Sequence, residues 1–267
     1  MSGGGKEPRC PKTQIFLGYN TRIILNRLNT FILYNILINI NMVLRTFLSV
    51  FFIMFNTYKL TTSLKINSPY YRDPRIHGFG NFGLGGRIHA EIAPKITRII
   101  DQVAYDGINI RDECFKKYVY GNSVLDLCCG TGFSTPSVYL NPLNRGIDIS
   151  KYMINKAKRV HENKQFYIGN AETYYPEKGT IFDVTTCYFS FHEMPKEAMI
   201  SIIENAKQIT KNKIIIVDIA PDYIPKSSML LGEPYLLDYL NQINNTLEDF
   251  HEEIIMPKRV HMWTYYM

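Results

Sequence analysis

Acidic residues are almost missing from the first sixty positions. Glu7 stands alone there against Lys6, Arg9, Lys12, Arg22, Arg27, Arg45 and Lys59. That imbalance accounts for the whole net charge of +6, because residues 61–267 carry 23 charges of each sign. A neutral body excludes a broad phosphate-binding face, so no nucleic-acid partner is expected. Cysteine is scarce as well. Cys10, Cys114, Cys128, Cys129 and Cys187 show neither disulfide nor zinc-ligand spacing, which points to reduced thiols in a reducing compartment and to no metal site. No internal repeat is present. The chain is nevertheless built to fold, since 46% of its residues are hydrophobic and only 20% are charged, a balance that disordered chains do not have.

Three regions follow from composition. Residues 1–60 combine the basic surplus with an apolar run from Phe31 to Phe55, long enough to cross a bilayer as a helix. Asn35, Asn39, Asn41 and above all Arg45 interrupt it, and each is costly in lipid. A signal anchor, an interfacial helix making membrane contact through residues 31–57, a cleaved organelle-targeting peptide and an extra packed helix all remain open. The expected location is membrane-associated or organelle-targeted, and cytoplasmic otherwise. Residues 61–120 are glycine-rich between Gly78 and Gly86, which implies bends and close backbone approach. A helix is expected from about Arg87 to Tyr105, with Ile88, Ile92, Ile96, Ile99 and Ile100 on one face and Pro94 kinking or splitting it.

Residues 121–267 alternate in type. Strands are predicted at Ser123–Cys128, Asn144–Ile149, Gln165–Asn170, Phe182–Tyr188 and Lys213–Ile219. Helices are predicted at Ser134–Leu140, Lys151–Glu162 and Lys196–Gln208. This order implies an α/β fold with a mostly parallel sheet and helices on both faces. Two further strands, joined by Met256-Pro257-Lys258, are expected in the tail.

The most informative segment is Val124-Leu125-Asp126-Leu127-Cys128-Cys129-Gly130-Thr131-Gly132-Phe133-Ser134. An apolar strand runs into a Gly-x-Gly turn, whose backbone can pass close to a ligand. The third glycine of a dinucleotide fingerprint is missing, because Thr135 and Pro136 follow, and that disfavours NAD and FAD. The segment closely resembles motif I of the class I S-adenosylmethionine-dependent methyltransferases. The resemblance implies a Rossmann-like seven-stranded sheet with an antiparallel C-terminal strand, and S-adenosyl-L-methionine as cofactor. It also implies a glycine loop beside the methionine part of the cofactor, with Asp126 helping to hold its ammonium group directly or through water.

Two more elements lie at matching spacing. Arg145-Gly146-Ile147-Asp148-Ile149-Ser150 is a strand ending in an acid, and Asp148 can accept two hydrogen bonds from a ribose diol. Ser150 can cap the following helix. The resemblance places an adenine wall just after Asp148, at Ile149, Tyr152 or Met153. Gly169-Asn170-Ala171-Glu172 follows the third strand. In this family such a step reads the adenine edge, with Asn170 accepting from the exocyclic amine and the Ala171 N–H donating to a ring nitrogen. The cofactor set is therefore Asp126, Cys128, Gly130, Thr131, Gly132, Asp148, Ile149, Met153, Asn170, Ala171, Glu172 and Tyr188. Motif I and Gly146–Ser150 are also similar to those of ubiquinone- and menaquinone-type C-methyltransferases. That likeness ends at Phe189-Ser190-Phe191-His192-Glu193-Met194-Pro195, so the quinone substrate is not carried over.

In open α/β sheets, ligands sit beyond the carboxyl ends of the strands, so residues 188–194 should face the methyl group. The segment lacks the Asn/Asp-Pro-Pro-Tyr signature of amino-methylating DNA enzymes, and its aromatic character suggests an apolar or aromatic small acceptor. His192 titrates near neutrality and is the candidate base, or else a helix-start packing residue. Glu193 could orient a donor. Tyr235 and Tyr239 should share a helix face over the substrate, and Arg87-Ile88-His89 could form the opposite wall. The expected function is methyl transfer to a small-molecule or lipid-like acceptor. RNA or protein methylation and an inactive cofactor-binding scaffold are the alternatives, and oligomeric state is left open.

Overall fold

The computed structural model describes residues 69–267. The expectations for residues 1–60 lie outside the described residues. Among the described residues no helix is long and apolar enough to cross a membrane.

Seven strands form one sheet in the order β3-β2-β1-β4-β5-β7-β6. They are β1 (Val124–Leu127), β2 (Arg145–Asp148), β3 (Phe166–Ile168), β4 (Phe182–Tyr188), β5 (Thr210–Ile219), β6 (His251–Met256) and β7 (Val260–Tyr266). The first five are parallel, and β7 pairs antiparallel with both β5 and β6. A parallel sheet is covered on both faces, so its strands read as continuous apolar runs. β5 is the clearest example, with Ile214, Ile215, Ile216 and Val217 all buried.

The helices are α1 (Gly83–Ala104), α2 (Ile110–Cys114, continued by a π-helical turn to Val119), α3 (Lys151–Val160), α4 (Lys196–Ile209), α5 (Ser227–Leu230) and α6 (Leu236–Thr246). One face of the sheet packs against α4 and α6, burying Met199, Ile202, Ile209, Leu236, Tyr239 and Trp263. The other face packs against α2 and its continuation, burying Ile110, Cys114, Val119, Tyr188 and Val217. Each layer removes apolar surface from water at roughly 25 cal/mol per Å².

Three sequence expectations are corrected. No helix forms over Ser134–Leu140, where turns and bends link β1 to β2. Pro136 and Pro142 bracket the stretch, and the residue before each proline is pushed out of the helical region, so less than two free turns remain. The helix expected from Arg87 begins at Gly83 and passes through Pro94 as one element. Its buried face is Gly86, His89, Ala90 and Pro94, whereas Ile88, Ile99 and Ile100 are 42%, 60% and 42% exposed. Tyr235 and Tyr239 do not share a helix face. Tyr235 is the N-cap of α6, while Tyr239 is fully buried and donates its hydroxyl hydrogen to the Ile219 carbonyl at 2.6 Å.

Strand order reverses between β1 and β4, because the chain runs outward through β2 and β3 before returning to β4. That reversal opens a crevice at the carboxyl ends of these strands.

Candidate active site

The crevice is built from the residues that end β1 and β4. Cys128 and Phe189, one just past each strand, both hold left-handed backbone angles, with φ of 54° and 52°. Such conformations cost non-glycine residues on the order of 1–2 kcal/mol, and they cluster where function over-determines the backbone.

After Cys128 the chain enters the glycine turn. Gly130 has a φ of 52°, and a Cβ built on it would meet nothing within 4 Å. Its side-chain position therefore faces open space, a cradle that any larger residue would begin to fill. Gly132 differs, because a Cβ there would fall 2.4 Å from the Phe166 ring. The first glycine leaves room for a ligand and the second leaves room for packing.

Asp148, at the end of β2, is tied to this turn. One carboxylate oxygen accepts from the Gly130 N–H at 2.9 Å, and the other accepts from the Ser150 N–H at 2.8 Å. Each oxygen keeps a second lone-pair direction, so the group can still receive a diol. Burial pushes its pKa up to about 6, and the Ser150 and Gly130 N–H groups oppose that rise. Ser150 caps α3 by accepting from the Met153 N–H, and its hydroxyl donates to the Asn81 carbonyl at 2.9 Å. Met153 is buried and Ile149 is half-buried beside the acid.

Asp126 lies beneath the loop, where a direct contact with an ammonium group is closed and a water-mediated one is the form of its expected role left open. It is fully buried. It accepts from Ser134 Oγ at 2.8 Å, Thr135 Oγ1 at 2.6 Å and Thr186 Oγ1 at 3.0 Å. Burial raises its pKa despite these three donors. The carboxylate holds the loop in shape and has no exposed edge for an ammonium group. Thr131 is buried, and Tyr188 turns into the core against Ile110 and Cys114. Past β3, Asn170 Oδ1 accepts from the Glu172 N–H, and Asn205 donates to the Ala171 carbonyl. Glu172 accepts from the Tyr70 hydroxyl at 3.2 Å. The four described cysteines are free thiols.

On the β4 side, Asp218 at the end of β5 organises the 3-10 turn Phe191–Glu193. One of its oxygens accepts from the N–H groups of Ser190, Phe191 and His192 at 3.1, 2.7 and 3.3 Å. The other lies 2.6 Å from His192 Nδ1. Burial alone would lower the His192 pKa, but the adjacent Asp218 carboxylate outweighs it and raises the value to about 9. His192 Nε2 lies 4.0 Å from Glu193 Oε1. Glu193 in turn meets His77 Nε2 at 2.8 Å, and His77 Nδ1 meets Glu233 at 2.9 Å. Tyr235 reaches Asp73 at 3.5 Å and stacks edge-on to Tyr70.

Sequence reasoning did not select Tyr70 or His77 for the site, and it placed Asp218 and Glu233 only within the segments at and after the end of β5, without a role for either side chain. Three of the six histidines, His77, His89 and His192, converge here, and the His77 and His89 rings are 4.6 Å apart. They come from separate segments, so no local spacing marks them.

Fold and crevice together define an α/β nucleotide-type cofactor site in which a short glycine turn is paired with an acid on the next strand. Residues 124–213 match the family model described as a methyltransferase domain. That segment is a methyltransferase domain, which makes the chain an S-adenosylmethionine-dependent methyltransferase with S-adenosyl-L-methionine as its cofactor. No curated protein matches it. Among solved structures it is similar to the PH0226 protein of Pyrococcus horikoshii OT3, at 18% identity over 62% of this chain and 92% of that one, with a TM-score of 0.45. A TehB-like SAM-dependent methyltransferase from Corynebacterium glutamicum aligns at 14% identity over 67% and 98%, with a TM-score of 0.44. Magnesium protoporphyrin IX methyltransferase from Synechocystis PCC 6803, with bound SAM, aligns at 17% over 73% and 89%, with a TM-score of 0.38. The assignment rests on the family-model match and the site, not on these superpositions.

Proposed function

We propose that the protein methylates a small-molecule or lipid-like acceptor carrying a removable proton. The observation that supports this is the covering of the crevice by the chain's own segments. Tyr70 reaches Glu172, Asn81 reaches Ser150, and His77 reaches Glu193, Glu233 and the Gly232 carbonyl. A roof of this kind suits a compact acceptor better than a folded RNA or protein surface.

When bound, the cofactor supplies an electrophilic methyl group on a sulfonium. Asp148, Gly130 and the Asn170–Glu172 turn would hold its adenosine part, and Gly132 with the Asp126-braced loop would shape the floor. An acceptor that took this methyl group, at the expense of the carbon–sulfur bond, would have to lose a proton. His192, oriented by Asp218, is the residue to take that proton through Nε2 once its imidazole is neutral. Glu193 and Tyr235 position groups at the roof. Residues 1–60 locate the enzyme at a membrane or direct it to an organelle, and a chain starting near Thr61 retains the fold and cofactor binding.

The test is a methyl-release screen with labelled cofactor against small metabolites, extracted lipids, RNA and protein. Label in a small organic product supports the reading. Label only in RNA or protein, or none in any fraction despite cofactor binding, overturns it.

A further inference from the structure

We propose that His77, Glu193 and Glu233 form a site for a divalent transition-metal cation beside the methyl-transfer edge. One ligand atom from each lies within 4.8 Å of the others. They belong to three separate turns, so the fold itself assembles them. His77 sits in the turn Ile76–Gly78, Glu193 in the turn Phe191–Glu193, and Glu233 in the loop before α6.

Two features show a built site rather than a chance ion pair. First, His77 is held in a left-handed conformation, with a φ of 51°, and its N–H donates to the Gly232 carbonyl at 2.6 Å. The backbone is constrained to bring this ring between the two glutamates. Second, the cluster is polar and incomplete. Glu233 Oε2 is buried with no hydrogen-bond partner, on a side chain only 10% exposed. An unpartnered buried carboxylate oxygen is costly unless a cation takes it.

One imidazole gives a metal one nitrogen. Loading therefore replaces one of the two His77–glutamate hydrogen bonds with a metal bond. The other glutamate stays on the opposite ring nitrogen, the support that usually fixes a metal-bound imidazole. Glu233 Oε2 is the atom free to join. A mixed imidazole and carboxylate set suits zinc, manganese, iron(II) or cobalt(II) rather than magnesium, which prefers oxygen ligands and water.

The experiment uses the full chain, stripped with a chelator and titrated with cobalt(II) and zinc(II) by absorption spectroscopy and calorimetry. One equivalent of cobalt should bind and give ligand-field bands, with zinc displacing it. Glu233→Gln keeps the side-chain shape and should weaken binding by about tenfold or more. His77→Ala should do the same. His251→Ala, at an exposed histidine elsewhere, and Cys128→Ser should leave it unchanged. No stoichiometric binding, or binding unaltered by Glu233→Gln in a folded protein, overturns the site. Loss of binding in Cys128→Ser with retention in Glu233→Gln places the cation at the thiols and also overturns it. S-adenosylmethionine binding, measured on the same samples, reports separately on the methyltransferase assignment.

Discussion

The pairing of His192 with Asp218 makes a quantitative claim about stability. The two groups lie 2.6 Å apart, with side chains 8% and 1% exposed. Pairing raises the His192 pKa from an ordinary 6.5 to about 9. The folded state therefore binds this proton more tightly than the unfolded chain does. The resulting stabilisation is fully present below pH 6.5 and is lost as pH rises through about 9. At about 1.4 kcal/mol per unit, the loss is on the order of 3 kcal/mol. Asp218→Asn isolates the His192 part. The amide keeps the shape but not the charge, and it cannot accept from both the Ile219 N–H and the three N–H groups of the turn. The variant will be less stable at every pH, yet its stability should fall far less between pH 6.5 and 9. Urea unfolding followed by the fluorescence of Trp263, the single tryptophan and buried in β7, measures this directly. Equal losses in wild type and Asp218→Asn over that window would refute the pairing as the source.

Other outcomes follow from the same geometry. A His192 imidazolium at neutral pH is not a base, so turnover should rise with pH toward about 9, and Asp218→Asn should move the inflection lower; a flat profile removes His192 from proton transfer. Gly130→Ala should cost about 1–2 kcal/mol of stability through its left-handed backbone while sharply weakening cofactor binding, whereas Gly132→Ala should cost about 1–3 kcal/mol by overpacking against Phe166; the reverse pattern in paired melting and binding data would misplace the cradle. Cofactor affinity should fall as pH drops below about 6, where Asp148 takes up a proton and loses an acceptor site; affinity unchanged from pH 7 to pH 5 contradicts that role.

Much of this arrangement was legible in short-range pattern. The segment Val124–Ser134, the acid at Asp148 and the step at Asn170 are each local, and their strands end within a few residues of where alternation placed them. The missing helix after the glycine turn was hidden because Ser134–Leu140 reads as permissive, while Pro136 and Pro142 act only as a pair. The isoleucine stripe on α1 misled because apolar periodicity does not say which face has a partner, and here small residues make the close contact. Asp126 carries the acid its motif demands, but three hydroxyls consume it, one of them from β4. His77, Glu233 and Asp218 were illegible for one shared reason. Their meaning lies in contacts across more than twenty residues, which no spacing rule encodes.

The central claim is that the Gly130–Asp148 crevice binds S-adenosylmethionine. Calorimetric titration of the wild-type chain and of Asp148→Ala tests it most directly. The structure predicts saturable one-to-one binding to the wild type. The variant should bind about 30-fold to 150-fold more weakly, corresponding to roughly 2–3 kcal/mol for charge-assisted hydrogen bonds to the ribose. No saturable binding by the wild type, or equal affinity in a folded Asp148→Ala, would contradict it.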